Sequence, residues 1–198
     1  MAGSSVPVDR VGERVDAPAW MVRLAGMLTF TLLVGLGAQV AVPLPPFGVP
    51  QTLQTLVVAL AAMGLGARWG AASMALYMVM GWVGAGIFAE GSSGPAVIFG
   101  QTGGYLLGFV LAQPVIAGLI RRPDGTVRGW GALSVAMLAG HGVIFAVGVP
   151  WLAVVREIAM ADAFYGGCVI FLPGMVAKTA AAVLIGLAVW PGCVRRFW

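Results

Sequence analysis

Residues 53–88 read LQTLVVALAAMGLGARWGAASMALYMVMGWVGAGIF and contain one charge, Arg68. A helix that crosses a bilayer needs roughly 20 apolar residues. The stretch is nearly twice that length and its charge falls near the middle, so it reads as two spans, 53–67 and 69–88. The first is short, about 22 Å at 1.5 Å per residue. It must borrow Gln51 and Thr52 or be shielded by neighbours.

Working outward from this pair, charge-free gaps define four more spans: 24–42, 102–120, 130–152 and 165–190. Within the last, Lys178 is the only charge. The whole chain has 198 residues, of which 60% are hydrophobic and 9% charged. Disorder needs the opposite balance, and soluble domains carry about a quarter charged residues. The expected fold is therefore an all-α polytopic membrane protein, with six transmembrane helices and ordered, partly re-entrant loops facing outward. Residues 24–190 form the membrane domain, between an N-terminal tail, 1–23, and a C-terminal tail, 191–198. The first 19 residues are polar and mixed in charge and lack the adjoining short apolar core and cleavage site of a signal peptide. The longest loops, 89–101 and 153–164, leave no room for a soluble domain.

Six spans put both ends on one side. That side carries Arg10, Arg14, Arg23, Arg68, Arg121, Arg122, Arg128, Arg195 and Arg196, and the opposite loops carry Arg156 alone. Basic residues collect on the cytoplasmic side, so both termini are expected in the cytoplasm of a cell-membrane protein. The net charge of +4 reflects this asymmetry rather than nucleic-acid binding. Gly104 and Gly108 form a small-x-x-x-small pair that lets helices approach closely. Cys168 and Cys193, about 37 Å apart along a helix, are too distant for a disulfide. One His and no cysteine cluster leave no metal site or cofactor to expect. No G-x-x-x-x-G-K-[ST] nucleotide loop is present.

Three places depart from apolar helix. Residues 43–50 hold four prolines, which exclude a helix. Gln51, Thr52, Gln54 and Thr55 follow. They read either as a capped turn or as a lid over an outward cavity lined by Thr52 and Gln54. Residues 88–105 are glycine-rich around an apolar run, 96–99, that suits a loop folded back into the protein. There Gly103 and Gly104 would bring backbone close to a ligand. Finally, Pro173 either kinks the last span or begins it, and Lys178 follows at membrane depth. A central lysine costs about 3 kcal/mol on insertion scales, unless it snorkels to an interface. No Asp or Glu lies within a span to pair with it. A small, partly apolar ligand with a carboxylate or other polar group would complete such a site, with Phe88, Tyr105, Trp82 and Trp151 as aromatic neighbours.

These residues resemble the BioY family, the biotin-binding S components of energy-coupling-factor vitamin transporters. The resemblance rests on Gly37-Ala38-Gln39-Val40-Ala41-Val42-Pro43, Thr52-Leu53-Gln54-Thr55 and Phe88-Ala89-x-Gly91. It continues through Thr102-Gly103-Gly104-Tyr105-Leu106-Leu107-Gly108-Phe109, Trp151-Leu152 and Phe171-Leu172-Pro173-Gly174-x-x-x-Lys178. It implies biotin capture and uptake, not enzymatic activity, with Thr52, Gln54, Phe88, Gly91, Tyr105 and Lys178 around the vitamin. It also implies, as partners, a transmembrane coupling subunit and cytoplasmic ATPase subunits. The family usually carries Asp where this chain has Met175. Another water-soluble vitamin is the alternative ligand, because the scaffold does not select biotin. A rival from a different class is a rhomboid-like intramembrane serine protease, suggested by Gly91-Ser92-Ser93-Gly94 and His141. It would need serine and base within hydrogen-bond reach. Otherwise His141 is a helix-packing residue bonded to a backbone carbonyl.

Overall fold

Gly66 is where the stretch 53–88 turns back on itself. In the computed structural model, which describes residues 18–121 and 129–197 and side chains as far as 188, α2 (Gln54–Trp82) contains one non-helical residue. Gly66 lies at φ 76°, ψ −177°, a region essentially restricted to glycine. The limbs 54–65 and 67–82 form a hairpin. Gln54 at one end meets Tyr77 near the other at 2.8 Å, and Gly70 faces the Ala61 carbonyl. The two spans are therefore real, but Arg68 starts the second limb instead of sitting in a connecting loop. The short first limb does not borrow Gln51 and Thr52. It is shielded: Val58, Ala59, Ala61 and Ala62 are buried.

α1 (Ala19–Gln39) begins before residue 24 and stops before residue 42. The proline-rich segment that follows is a β-hairpin, with β1 (Ala41–Leu44) antiparallel to β2 (Val49–Thr52). Pro43 stands opposite Pro50, where missing N–H groups interrupt a two-stranded ladder. Gly48, at φ 69°, closes the turn. The sequence excludes a helix here but does not reveal the strand pairing.

The third span ends at Trp82, not at residue 88, because Gly84 (φ 102°) leaves the helix. Phe88 then folds back, 1% exposed, edge-on to Tyr77 with ring centroids 5.3 Å apart. A short helix, α3 (Pro95–Ile98), buries Ile98, which is the inward fold expected of the run 96–99. α4 (Gly103–Ile120) and α5 (Trp130–Arg156) pack through glycines from both sides. Gly104 and Gly108 meet Trp151, Val147 and Ile144, while Gly148 meets the Tyr105 ring. Gly104 thus brings α4 against α5, and Gly103 brings it against the Ile98 carbonyl of α3, rather than against a ligand.

The last expected span, 165–190, is broken at Cys168 (φ −136°, ψ −58°). Before it lies α6 (Met160–Gly167), and after a 3-10 turn, Val169–Phe171, comes α7 (Leu172–Phe197). Pro173 is the second residue of α7, where its absent N–H costs no helical hydrogen bond. α1, the limbs of α2, α4, α5 and α7 make six long helices among the described residues. The outward side chains are apolar, with Leu32, Leu36, Val135 and Leu184 exposed. A helix apolar on both faces suits lipid.

Candidate functional site

A cavity of about 610 Å³ opens between β2, the start of α2, residues 88–92, the α3–α4 junction, α5 and the start of α7. Its size falls within the range of small-molecule sites. Thr52, Gln54, Phe88, Tyr105 and Lys178 all line it. Gly91 does not. Its N–H donates to Gln39 Oε1 at 3.1 Å, while Gln39 Nε2 donates to the Phe88 carbonyl at 3.0 Å. Gln39, at the end of α1, therefore fastens residues 88–91 at the rim.

The polar residues entering α2 form a chain. Thr52 Oγ1 donates to Gln54 Oε1 at 3.0 Å and accepts from the Gln54 N–H at 3.2 Å. Gln54 Nε2 donates to the Tyr77 hydroxyl, which donates to the Ile87 carbonyl at 3.2 Å. Both Gln54 side-chain ends are engaged within the protein. They hold the first limb of α2 to the second and to the rim. Lys178 Nζ donates to the Thr52 carbonyl at 3.0 Å, joining α7 to β2. That uses one of three ammonium protons. Tyr105 directs its hydroxyl to the Gly167 carbonyl at 2.8 Å, so α6 is tied to α4 and the ring is left against the cavity.

Two of the expected aromatic neighbours lie elsewhere. Trp82 is about half exposed and packs edge-on to Phe99. Trp151 is absent from the lining; its indole N–H donates to the Gly100 carbonyl at 2.8 Å and pins the α3–α4 link. In their place the wall takes Phe145 and Phe171, 6.3 Å apart, with His141, Ile144 and Met175. His141, Ile144 and Phe145 share one face of α5 by their i, i+3, i+4 spacing. Nothing in the sequence marks that face, because the opposite one is also apolar. Arg156, at the end of α5, is exposed, lies 6.0 Å from the Phe47 ring and borders the cavity mouth with Glu90.

The arrangement does not resemble a serine hydrolase. Ser92 Oγ donates to the Ala89 carbonyl at 2.7 Å, and His141 Nδ1 lies 2.9 Å from the Met137 carbonyl. Among the described residues no serine bonds the imidazole, whose Nε2 has no partner. The site can bind and orient, through an apolar wall of Phe88, Ile144, Phe145 and Phe171 interleaved with polar side chains such as Thr52, Gln101, Thr102, His141 and Lys178.

Known proteins resemble this chain in sequence and in fold. The family model for the BioY family matches residues 13–195. The chain is 39% identical to the probable biotin transporter BioY of Pyrococcus horikoshii over 156 residues, 79% of this chain and 88% of that protein. It is 32% identical to the biotin transporter BioY of Rhizobium etli over 166 residues, covering 81% and 88%. Among solved structures, the S-component for biotin from an ECF-type ABC transporter superposes with a TM-score of 0.81. That match covers 92% of this chain and 99% of the other at 22% identity, a likeness of fold.

Proposed function

We propose, because the chain belongs to the BioY family, that it captures biotin and serves its uptake as the S component of an energy-coupling-factor transporter. The observation that carries the reading is the cavity itself. An apolar wall of Phe88, Tyr105, Phe145 and Phe171 suits a fused bicycle and aliphatic tail. Lys178 supplies a donor at membrane depth. At the mouth Arg156 is the one arginine on the lining among the described residues, and a carboxylate there stays close to water, where it loses little hydration. Thr52, Gln54 and Tyr77 act on the ligand indirectly, by fixing Lys178 and the rim.

The chain has no nucleotide-binding loop of its own. Energy for uptake therefore comes from partners: a transmembrane coupling subunit and cytoplasmic ATPase subunits. The cavity opens outward and both termini are cytoplasmic, on the support of nine basic residues on one side against one on the other. Several of these basic residues, Arg10, Arg14, Arg122 and Arg128 among them, lie outside the described residues, as do most of the tail 1–23 and the side chains of the tail 191–198. Cysteine labelling tests the orientation. In a background without native cysteines, Gly12→Cys should label only from the cytoplasmic side and Ser93→Cys only from outside. Labelling of both from one side would refute it.

The ligand is tested by binding to purified protein. Biotin should bind and saturate, and thiamine and riboflavin should not displace it at comparable concentrations. Displacement by those vitamins would keep the scaffold and remove biotin as its ligand.

A further inference from the structure

Two side-chain atoms on the cavity lining are buried without a hydrogen-bond partner: Nε2 of His141 and Oγ1 of Thr55. The threonine hydroxyl can rotate toward the helix carbonyls behind it. The imidazole has no such freedom. His141 is 3% exposed, and its Nδ1 lies 2.9 Å from the Met137 carbonyl on the preceding turn of α5. A carbonyl can only accept, so Nδ1 carries the proton. In a neutral ring Nε2 is then a bare acceptor. Imidazole is largely neutral at pH 7, and Lys178 on the same lining opposes a second cation beside it.

A buried acceptor with no partner is unfavourable and uncommon. The other buried polar groups here cannot satisfy it. Thr52 and Gln54 are bonded to each other and to Tyr77, and the Tyr105 hydroxyl is bonded to Gly167. Among the described residues the lining thus offers one ammonium donor, Lys178, and one fully buried acceptor left without a partner, His141, beside the part-buried amides of Gln51 and Gln101. A carboxylate complements only the first, because it has no proton to give at neutral pH. A cyclic urea complements both, since its carbonyl accepts and the adjoining N–H groups donate.

We propose that His141 Nε2 accepts a hydrogen bond from a ureido N–H of the ligand while Lys178 donates to the ureido carbonyl. His141 is then a specificity-determining residue. It rewards ligands that carry an N–H beside a carbonyl and leaves a lone pair unmatched by those that do not. The inference rests on the reading that biotin is the ligand.

The test uses biotin and its two analogues methylated singly at either ureido nitrogen. Against the parent protein, one analogue should bind roughly tenfold or more weaker, the loss expected when a buried polar group loses its partner. His141→Leu should weaken biotin by a similar factor and should weaken that analogue no further. His141 is the single histidine of the chain, so protein carrying 15N-histidine and purified through a histidine-free tag gives one imidazole signal pair. The free protein should show a neutral ring protonated at Nδ1. Its Nε2 resonance should move when biotin saturates the site and stay put with the sensitive analogue. This measurement needs no variant, so it decides the matter even if His141→Leu does not fold. An Nε2 signal unmoved by saturating biotin, or equal biotin affinity in His141→Leu, would overturn the proposal while leaving biotin as ligand. Failure of the parent protein to bind biotin would overturn the reading of the ligand, and this inference with it.

Discussion

Lys178→Met should lower biotin affinity by about 10- to 100-fold and leave the protein folded. The magnitude follows from losing a hydrogen bond to a charged donor, about 1.5–3 kcal/mol. Lys178 projects from α7 onto the cavity lining and gives one proton to the Thr52 carbonyl at 3.0 Å. No Asp or Glu lies in the spans to neutralise it. An unpaired ammonium at this depth disfavours the empty protein, so its removal need not cost stability. The experiment compares affinity and ligand-induced thermal stabilisation in one detergent. Parent and variant should unfold at similar temperatures without biotin and differ with it. If the variant binds biotin as tightly as the parent, Lys178 is only a strap between α7 and β2.

Gly108→Leu should abolish a well-folded, monodisperse protein. A Cβ at Gly108 would stand 2.8 Å from Ile144 Cα and 3.2 Å from its carbonyl oxygen. The obstacle is backbone, so no rotamer can relieve it. α4 and α5 would have to separate, which also frees Tyr105 from Gly148 and Trp151 from Gly104. Overpacking a core costs about 1–3 kcal/mol when side chains can shift, and a rigid helix seam yields less. Gly118→Leu is the control on the same helix, since nothing lies within 4 Å of a Cβ there. Size-exclusion profiles and melting temperatures separate the two. Equal behaviour of both variants would mean that the α4–α5 seam is not what holds the site together.

The sequence resemblance names six residues for the ligand, and five of them border one cavity: Thr52, Gln54, Phe88, Tyr105 and Lys178. How each is used was not legible. Thr52 and Gln54 look like ligand-facing polar groups in one dimension, yet their side chains are bonded to one another and to Tyr77. Gly91 stands off the lining, held by Gln39 from a helix some fifty residues earlier. Trp82 and Trp151 were plausible walls by proximity in sequence, but one faces outward and the other ties down a loop. His141 and Phe145 could not be singled out, because every face of α5 is apolar and helical spacing then carries no direction.

What the sequence determined by itself was the solvent and the number of crossings. Charge and hydropathy are properties of each residue in isolation, and a bilayer reads them along the chain with little regard to partners. Arg68 and the length of 53–88 therefore sufficed for two spans, and four prolines sufficed to exclude a helix at 43–50. Tertiary structure alone decided the turn at Gly66, the pairing of β1 with β2 and the break at Cys168. These depend on backbone angles that become favourable only once neighbouring helices are in place. It also decided which side chains share the cavity, since close approach of α4 to α5 through Gly104, Gly108 and Gly148 is what carries His141 and Phe145 to the same space as Lys178.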